Sequence, residues 1–224
     1  MGNGLLVLGQ DSMVERVGLW ELFEQSIDIF TIVLLGGSLV AAAVIVRCVL
    51  DVRSSTILPQ ASIDRADELL ENKRLGELAT FAREDESFVG AVLTPALAAR
   101  ESGEMSIREA AEIAASAETA RHFRKIELLS LIGNLGPLVG LAGTVWGMIL
   151  AFTSLGATGG QAGPAELSIG ISKALFHTLL GLVLAVPCLF VFGIYRAAVD
   201  RICTRGIAET SRMVDRVVQI EKAK

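Results

Sequence analysis

Hydrophobic residues are collected into three long blocks along the chain. No Asp, Glu, Lys or Arg occurs in residues 29–46, 128–165 and 174–195. A helix crosses the hydrocarbon core of a bilayer with about 20 apolar residues, so the blocks predict three membrane spans. Between the first two blocks, apolar positions recur at helical spacing, which predicts helices near 62–83, 86–100 and 104–127. The chain is therefore predicted to be an all-α, polytopic membrane protein.

The same pattern divides the chain into seven segments. They are an N-terminal amphipathic segment (1–27), a first span (28–47), a helical domain (48–127), a second span (128–153), a short loop (154–172), a third span (173–195) and a C-terminal helix (196–224). The helices before the second span and after the third are expected to extend from the membrane as long rods. Within the first segment, residues 13–26 with Trp20 predict an amphipathic helix on the membrane surface, or else a solvated one.

Basic residues are distributed unevenly between these segments. One (Arg16) precedes the first span, ten lie in residues 51–127, one (Lys173) lies between the second and third spans, and seven follow residue 195. Because Lys and Arg accumulate on the cytoplasmic side, the N-terminus is predicted to be outside and the C-terminus in the cytoplasm. Asp28 and Glu166 are then expected to be charges at the outer interface.

Composition supports a membrane protein and excludes several other classes. The chain is 52% hydrophobic with a net charge of −5, and its mean hydropathy is +0.55. A mild acidic excess argues against nucleic-acid binding, which needs a clustered basic face. Three Cys and two His show no CxxC or HxxxH spacing, so no metal site or disulfide framework is expected. The sequence has no paired nucleophile and base and no phosphate loop, so neither an enzyme nor a cofactor is predicted.

Small residues form one stripe on each of the second and third spans. In the second span they are Gly133, Gly136, Gly140, Gly143, Gly147 and Ala151; in the third they are Ala174, Thr178, Gly181, Ala185 and Cys188. Intervals of three and four residues place each set on one helix face, and small faces let two membrane helices approach closely. Pro137 and Pro187 each free a backbone carbonyl and are expected to kink their helices.

Polar side chains on or near these stripes are the candidate functional groups. Thr144 and Thr178 could bond their own helix backbone, or could line a narrow path for water or a proton. Lys173 could extend into the outer headgroups or act as a titratable charge at a pore mouth. His177 could pack or relay protons. Because no carboxylate lies inside the three apolar blocks, a proton-carrying acid at mid-membrane would have to come from another chain.

Two segments resemble the MotA/TolQ/ExbB proton channel family. Residues 133–152, GNLGPLVGLAGTVWGMILAF, and 167–187, LSIGISKALFHTLLGLVLAVP, are similar to the signatures of its second and third spans. The three-span layout is similar to ExbB and TolQ. The resemblance implies a bacterial inner-membrane homopentamer around a single-span, Asp-bearing ExbD- or TolR-like partner, energising a TonB- or TolA-like protein. It implies that Thr144 and Thr178 are pore threonines, and that Lys173 replaces a common Glu.

Two functions remain open at this level. The first is a proton-channel subunit of an ExbB/TolQ-like motor that couples the proton-motive force to transport or envelope work. The second is a non-conducting oligomeric scaffold that uses the small faces for packing and residues 51–127 to recruit cytoplasmic proteins. Lys173 favours the scaffold, because a ring of positive charge repels cations. The sequence does not distinguish H⁺ from Na⁺ as the driving ion, since hydroxyls can also ligate Na⁺.

Overall fold

The computed structural model describes residues 26–51, 53–157 and 164–223. Side chains are described within these ranges except those of Asp51 and residues 164–166. The predicted amphipathic helix around Trp20 and the Glu166 side chain therefore lie outside the described part of the chain.

The described residues form helices and no strands. The helices are α1 (Ile29–Asp51), α2 (Ser54–Ile57), α3 (Gln60–Glu71), α4 (Leu75–Glu84), α5 (Phe88–Ala98), a 3₁₀ turn (Ala99–Ser102), α6 (Glu104–Ala157) and α7 (Pro164–Lys222). Helices α1, α6 and α7 are each long and apolar enough to cross a membrane. The prediction of an all-α chain with three spanning helices is confirmed.

The two longest helices continue without interruption past the apolar blocks. Helix α6 has 54 residues with Pro137 inside it, and α7 has 59 residues with Pro187 inside it. Both helices extend into the predicted loop at 154–172, because α6 ends at Ala157 and α7 begins at Pro164. The connection between them is therefore shorter than the sequence indicated.

The single helix predicted over residues 62–83 is two helices. Helix α3 ends in a Schellman-type turn, in which the backbone N–H of Arg74 donates to the carbonyl of Leu69 at 2.9 Å and that of Lys73 to Leu70 at 3.0 Å. Lys73 takes the left-handed conformation at φ 54°. This position usually carries Gly or Asn, so a Lys there gave no sequence signal for the end of the helix.

The chain divides into two compact units. The first contains the described residues up to Ser38 together with Asn134–Ala185, and the second contains Leu39–Gly133 and the residues from Val186 onward. The first unit is built from one portion each of α1, α6 and α7. It holds every small residue of the α6 and α7 stripes between Gly136 and Ala185, and it carries the candidate site.

Helices α2 to α5 belong to the second unit, along with the more polar portions of α6 and α7. Its fully buried side chains come from α3 to α7 and include Leu69, Leu78, Phe88, Leu93, Ile107, Ile126, Met213 and Val217. Gly206 of α7 makes room for the Phe88 ring, because an added Cβ would lie 2.8 Å from its Cδ1. Around this core, Arg108 pairs with Asp215, and Lys222 lies 2.6 Å from Glu104.

Candidate functional site

Helices α6 and α7 approach each other backbone to backbone in the first unit. A Cβ added to Gly140 would lie 2.7 Å from the carbonyl oxygen of His177, and one added to Gly181 would lie 2.6 Å from that of Gly136. A Cβ added to Gly147 would lie 2.9 Å from the Cβ of Ala174. Real Cβ atoms do not approach other atoms this closely, so side chains at these positions would force the helices apart.

The remaining residues proposed for helix packing have different surroundings. Ala185 is buried at 3% exposure on the α7 stripe. Gly143 faces the His177 side chain, since an added Cβ would lie 2.8 Å from its Cβ and Cγ. Pro137 is half-buried within α6, whereas Pro187 lies on an exposed face of α7 in the second unit.

Thr144 of α6 and Thr178 of α7 meet at this close approach. Their hydroxyl oxygens are in hydrogen-bonding contact. The Thr144 hydroxyl also lies 3.1 Å from the carbonyl oxygens of both Gly140 and Ala174, and the Thr178 hydroxyl lies 3.5 Å from that of Gly140. Thr144 thus bonds its own helix, as one interpretation of the sequence had it, and also reaches across to α7.

The threonine pair can transmit a hydrogen bond but cannot store a charge. A hydroxyl both donates and accepts, and both Thr side chains are half-buried, so one side of the pair remains accessible on the isolated chain. The surrounding helix surfaces are apolar, and no Asp, Glu, Lys or Arg occurs in residues 128–157 of α6. The threonine pair is therefore an uncharged polar site on an otherwise apolar helix surface.

A second polar contact joins the N-terminal end of α1 to α7. The Nε2 atom of His177 lies 3.0 Å from Oδ1 of Asp28. The same carboxylate oxygen accepts the backbone N–H groups of Phe30 and Thr31, each at 3.0 Å, and so caps α1. The Phe30 ring packs edge-on against His177, with centroids 6.3 Å apart.

This contact was missed at the level of sequence. Asp28 was expected to be an interfacial charge, and the 149 residues that separate it from His177 carry no signal of proximity. The one local signal was an Asp directly before an apolar block, which is typical of a helix cap. Lys173 lies one turn before His177 on α7 and is half-buried.

A separate polar cluster lies in the second unit. The Nε2 atom of His122 is 3.1 Å from Oε1 of Glu118, and both side chains are largely buried. They line a cavity of about 800 Å³ between α4, α5 and α6, together with Arg83, Asp85 and Lys125. Burial lowers the pKa of His122, although the Glu118 carboxylate opposes this shift.

Metal chemistry has no evident site in the described ranges. No group of three or more His, Cys, Asp or Glu side chains within 26–51, 53–157 and 164–223 is placed to hold a metal ion. The three cysteines Cys48, Cys188 and Cys203 are buried and are not disulfide-bonded.

The fold and the paired small faces define a class: polytopic helical membrane proteins in which two long helices pack through glycines around half-buried hydroxyls. Residues 82–206, more than half of the chain, match the MotA/TolQ/ExbB proton channel family, and the chain belongs to that family. The matched range includes both threonines, Lys173 and His177.

Individual relatives match over shorter stretches. The biopolymer transport protein exbB1 of Vibrio cholerae is 45% identical over 62 residues, which are 28% of this chain and 27% of that protein. The Tol-Pal system protein TolQ of Pseudomonas aeruginosa is 33% identical over 99 residues, which are 44% of this chain and 42% of TolQ. The alignments thus span less than half of these relatives.

One solved structure extends the likeness in fold over most of the chain. A chain in a structure of MotAB from C. jejuni superposes with a TM-score of 0.55, covering 89% of this chain and 80% of that one. Sequence identity is 18%, so the likeness concerns the fold.

Proposed function

We propose that this chain is the proton-channel subunit of an ExbB/TolQ-type motor in a bacterial inner membrane. Its N-terminus lies in the periplasm and its C-terminus in the cytoplasm, in line with the distribution of Lys and Arg. The motor couples the proton-motive force to transport or envelope work. The observation that carries the proposal is the contact between Thr144 and Thr178 on the tightest faces of two apolar helices.

A partner chain supplies the acid in this proposal. Hydroxyl groups cannot hold a proton near neutral pH, and the apolar blocks contain no carboxylate. We therefore propose a single-span ExbD- or TolR-like protein whose membrane Asp carries the proton past the two threonines. Several copies of this chain, most simply five, surround it, and its motion acts on a TonB- or TolA-like protein.

Lys173 takes a place at the outer mouth of this path. The resemblance to the family implies that it replaces a common Glu, and it lies one turn before His177 on α7. A fixed positive charge there disfavours cation entry, so we expect Lys173→Glu to raise proton flux.

The test is proton flux into liposomes that contain the full chain together with the single-span protein that co-purifies with it. A pH-sensitive dye reports flux for the wild type, Thr144→Val and Thr178→Val. Valine keeps the shape of threonine and removes the hydroxyl. Thr153→Val is the matched control, because the exposed Thr153 on the same helix bonds its own Ile149 carbonyl, at 2.7 Å, and lies away from the threonine pair.

We expect flux in the wild type and in Thr153→Val, and a loss of about tenfold or more in the two pore variants, a barrier increase of about 1.4 kcal/mol. All variants should assemble normally. Normal flux in both pore variants contradicts the pore assignment. An assembled wild-type complex that never conducts supports the alternative, a non-conducting scaffold built on the same small faces.

A further inference from the structure

His177 of α7 is buried where α1, α6 and α7 meet. Its side chain is 3% exposed, whereas that of Asp28 is 35% exposed and open to the surface of the unit. It contacts α1 through Asp28 and Phe30, and it fills the space left by Gly143 on α6. Because an ionised carboxylate only accepts hydrogen bonds, the Nε2 atom of a neutral His177 carries the proton donated to Asp28.

The second ring nitrogen has a different environment. The Nδ1 atom of His177 is buried and has no hydrogen-bond partner among the described residues. An unpaired buried polar atom costs free energy, so a purely structural role would favour an apolar side chain at this position. The atom is a basic nitrogen, on the residue directly before Thr178 in the chain, that can accept one proton.

Within residues 26–51, 53–157 and 167–223, two charged side chains face His177. On α1 the facing group is Asp28, and on α7 it is Lys173, one turn away. The apolar portion of α6, residues 128–157, contains no titratable side chain at all. Among the described side chains, a proton bound by His177 is therefore stabilised by the Asp28 carboxylate and opposed by the Lys173 ammonium group.

We propose that Asp28 and His177 form a proton-binding site at the end of the conduction path nearest the N-terminus of α1. This inference rests on the proposed channel function and deepens it. Uptake of one proton at Nδ1 converts neutral imidazole to imidazolium, whose charge is offset by the Asp28 carboxylate. Loss of that proton restores the neutral ring, so one proton is bound and released and nothing is oxidised or reduced.

The experiment is the flux assay above, repeated over a range of pH on the side of the membrane where Asp28 lies. His177→Gln retains an amide that can donate to Asp28 but cannot titrate. Asp28→Asn removes the counter-charge and Lys173→Gln removes the opposing charge. Thr31→Val is the matched control: it deletes a neighbouring buried hydrogen bond, from the Thr31 hydroxyl to the Ser26 carbonyl at 2.6 Å, without touching a titratable group.

We expect wild-type flux to change with pH through one inflection. His177→Gln should abolish that inflection. Asp28→Asn should move it to lower pH, and Lys173→Gln should move it to higher pH. Thr31→Val should leave it in place. Shifts of the inflection in opposite directions indicate a proton site whose affinity depends on the two neighbouring charges. If His177 had only a packing role, the two variants would not shift the inflection in opposite directions.

The outcomes separate this inference from the function on which it rests. If the wild type conducts and the threonine variants do not, but His177→Gln keeps the inflection, the proton site is wrong and the channel stands. If Asp28→Asn and Lys173→Gln move the midpoint in the same direction or not at all, the site is wrong even where His177→Gln fails to assemble. An assembled wild type without flux overturns both.

Discussion

Gly140 offers a direct test of the close approach between α6 and α7. The atoms nearest to an added Cβ are the His177 carbonyl oxygen at 2.7 Å, the Thr178 Cα at 3.1 Å and the Gly181 Cα at 3.3 Å. All three are backbone atoms, which cannot rotate away as a side chain would. Gly140→Ala must therefore push the two helices apart rather than rearrange side chains.

The required displacement and its cost can be worked from these distances. Ordinary van der Waals contact begins near 3.4 Å, so the carbonyl oxygen of His177 must retreat by about 0.7 Å. Overpacking of this kind costs about 1–3 kcal/mol, while replacing a helical Gly by Ala contributes about 0.5–1 kcal/mol of stability. A net destabilisation of up to about 2.5 kcal/mol follows from these two terms.

The same displacement acts on the threonine pair. The Thr144 hydroxyl lies 3.1 Å from the Ala174 carbonyl oxygen of α7. Moving α7 away by about 0.7 Å takes this contact beyond hydrogen-bonding distance. Gly140→Ala should therefore reduce proton flux although both hydroxyls are still present.

The assay is thermal unfolding of the detergent-solubilised chain, followed by its helical circular dichroism, with flux measured in parallel. Gly36→Ala on α1 is the control, because an added Cβ at Gly36 meets nothing within 4 Å. We expect Gly140→Ala to unfold at a lower temperature than the wild type and Gly36→Ala to unfold at the same or a higher one. Equal stability and equal flux in the two variants would refute the close-packed interface.

Two further predictions concern the second unit. Because burial lowers the pKa of His122 below its usual value near 6.5, unfolding of this unit takes up a proton in acid. The free energy of unfolding should be highest above the usual histidine pKa and should fall as the pH decreases through the pKa of His122 in the folded state. Unfolding titrations at several pH values should show that His122→Gln weakens this dependence. Lys73 holds φ 54°, a conformation that costs an L-residue about 1–2 kcal/mol, so Lys73→Gly should raise the denaturant midpoint. The control Arg74→Gly, at a residue with φ −90°, should not raise it.

The helix faces of the candidate site could be predicted from the sequence because they depend on a local rule. A period of 3.6 residues places Gly136, Gly140 and Gly147 on one side of α6, whatever the rest of the chain does. Small residues on a membrane helix mark a close neighbour, so the two stripes also indicated their pairing. The meeting of Thr144 and Thr178 follows once the stripes face each other.

Contacts that depend on distant segments could not be predicted in this way. Asp28 reaches His177 only because α1 packs where Gly143 leaves space for the imidazole ring. Glu118 and His122 are one turn apart on α6, but the cavity that they line also involves α4 and α5, which are distant in sequence. The end of α3 could not be predicted for another reason. Lys73 occupies the left-handed position that usually carries Gly, so nothing in the sequence indicated that a helix ends there.

The placement of charge along the membrane helices has one consequence for the mechanism. The apolar blocks exclude Asp, Glu, Lys and Arg because a charge there is costly without a partner, and the glycine contacts leave no room between α6 and α7 for a long side chain. The only imidazole in these blocks, that of His177, lies near the start of the third block and has its own carboxylate in Asp28. Between that site and the other end of the blocks, the sequence contains no Asp, Glu, Lys, Arg or further His. A proton that crosses must therefore be carried over this stretch by a group from outside the chain, which is why the partner's carboxylate is a physical requirement of the proposed function.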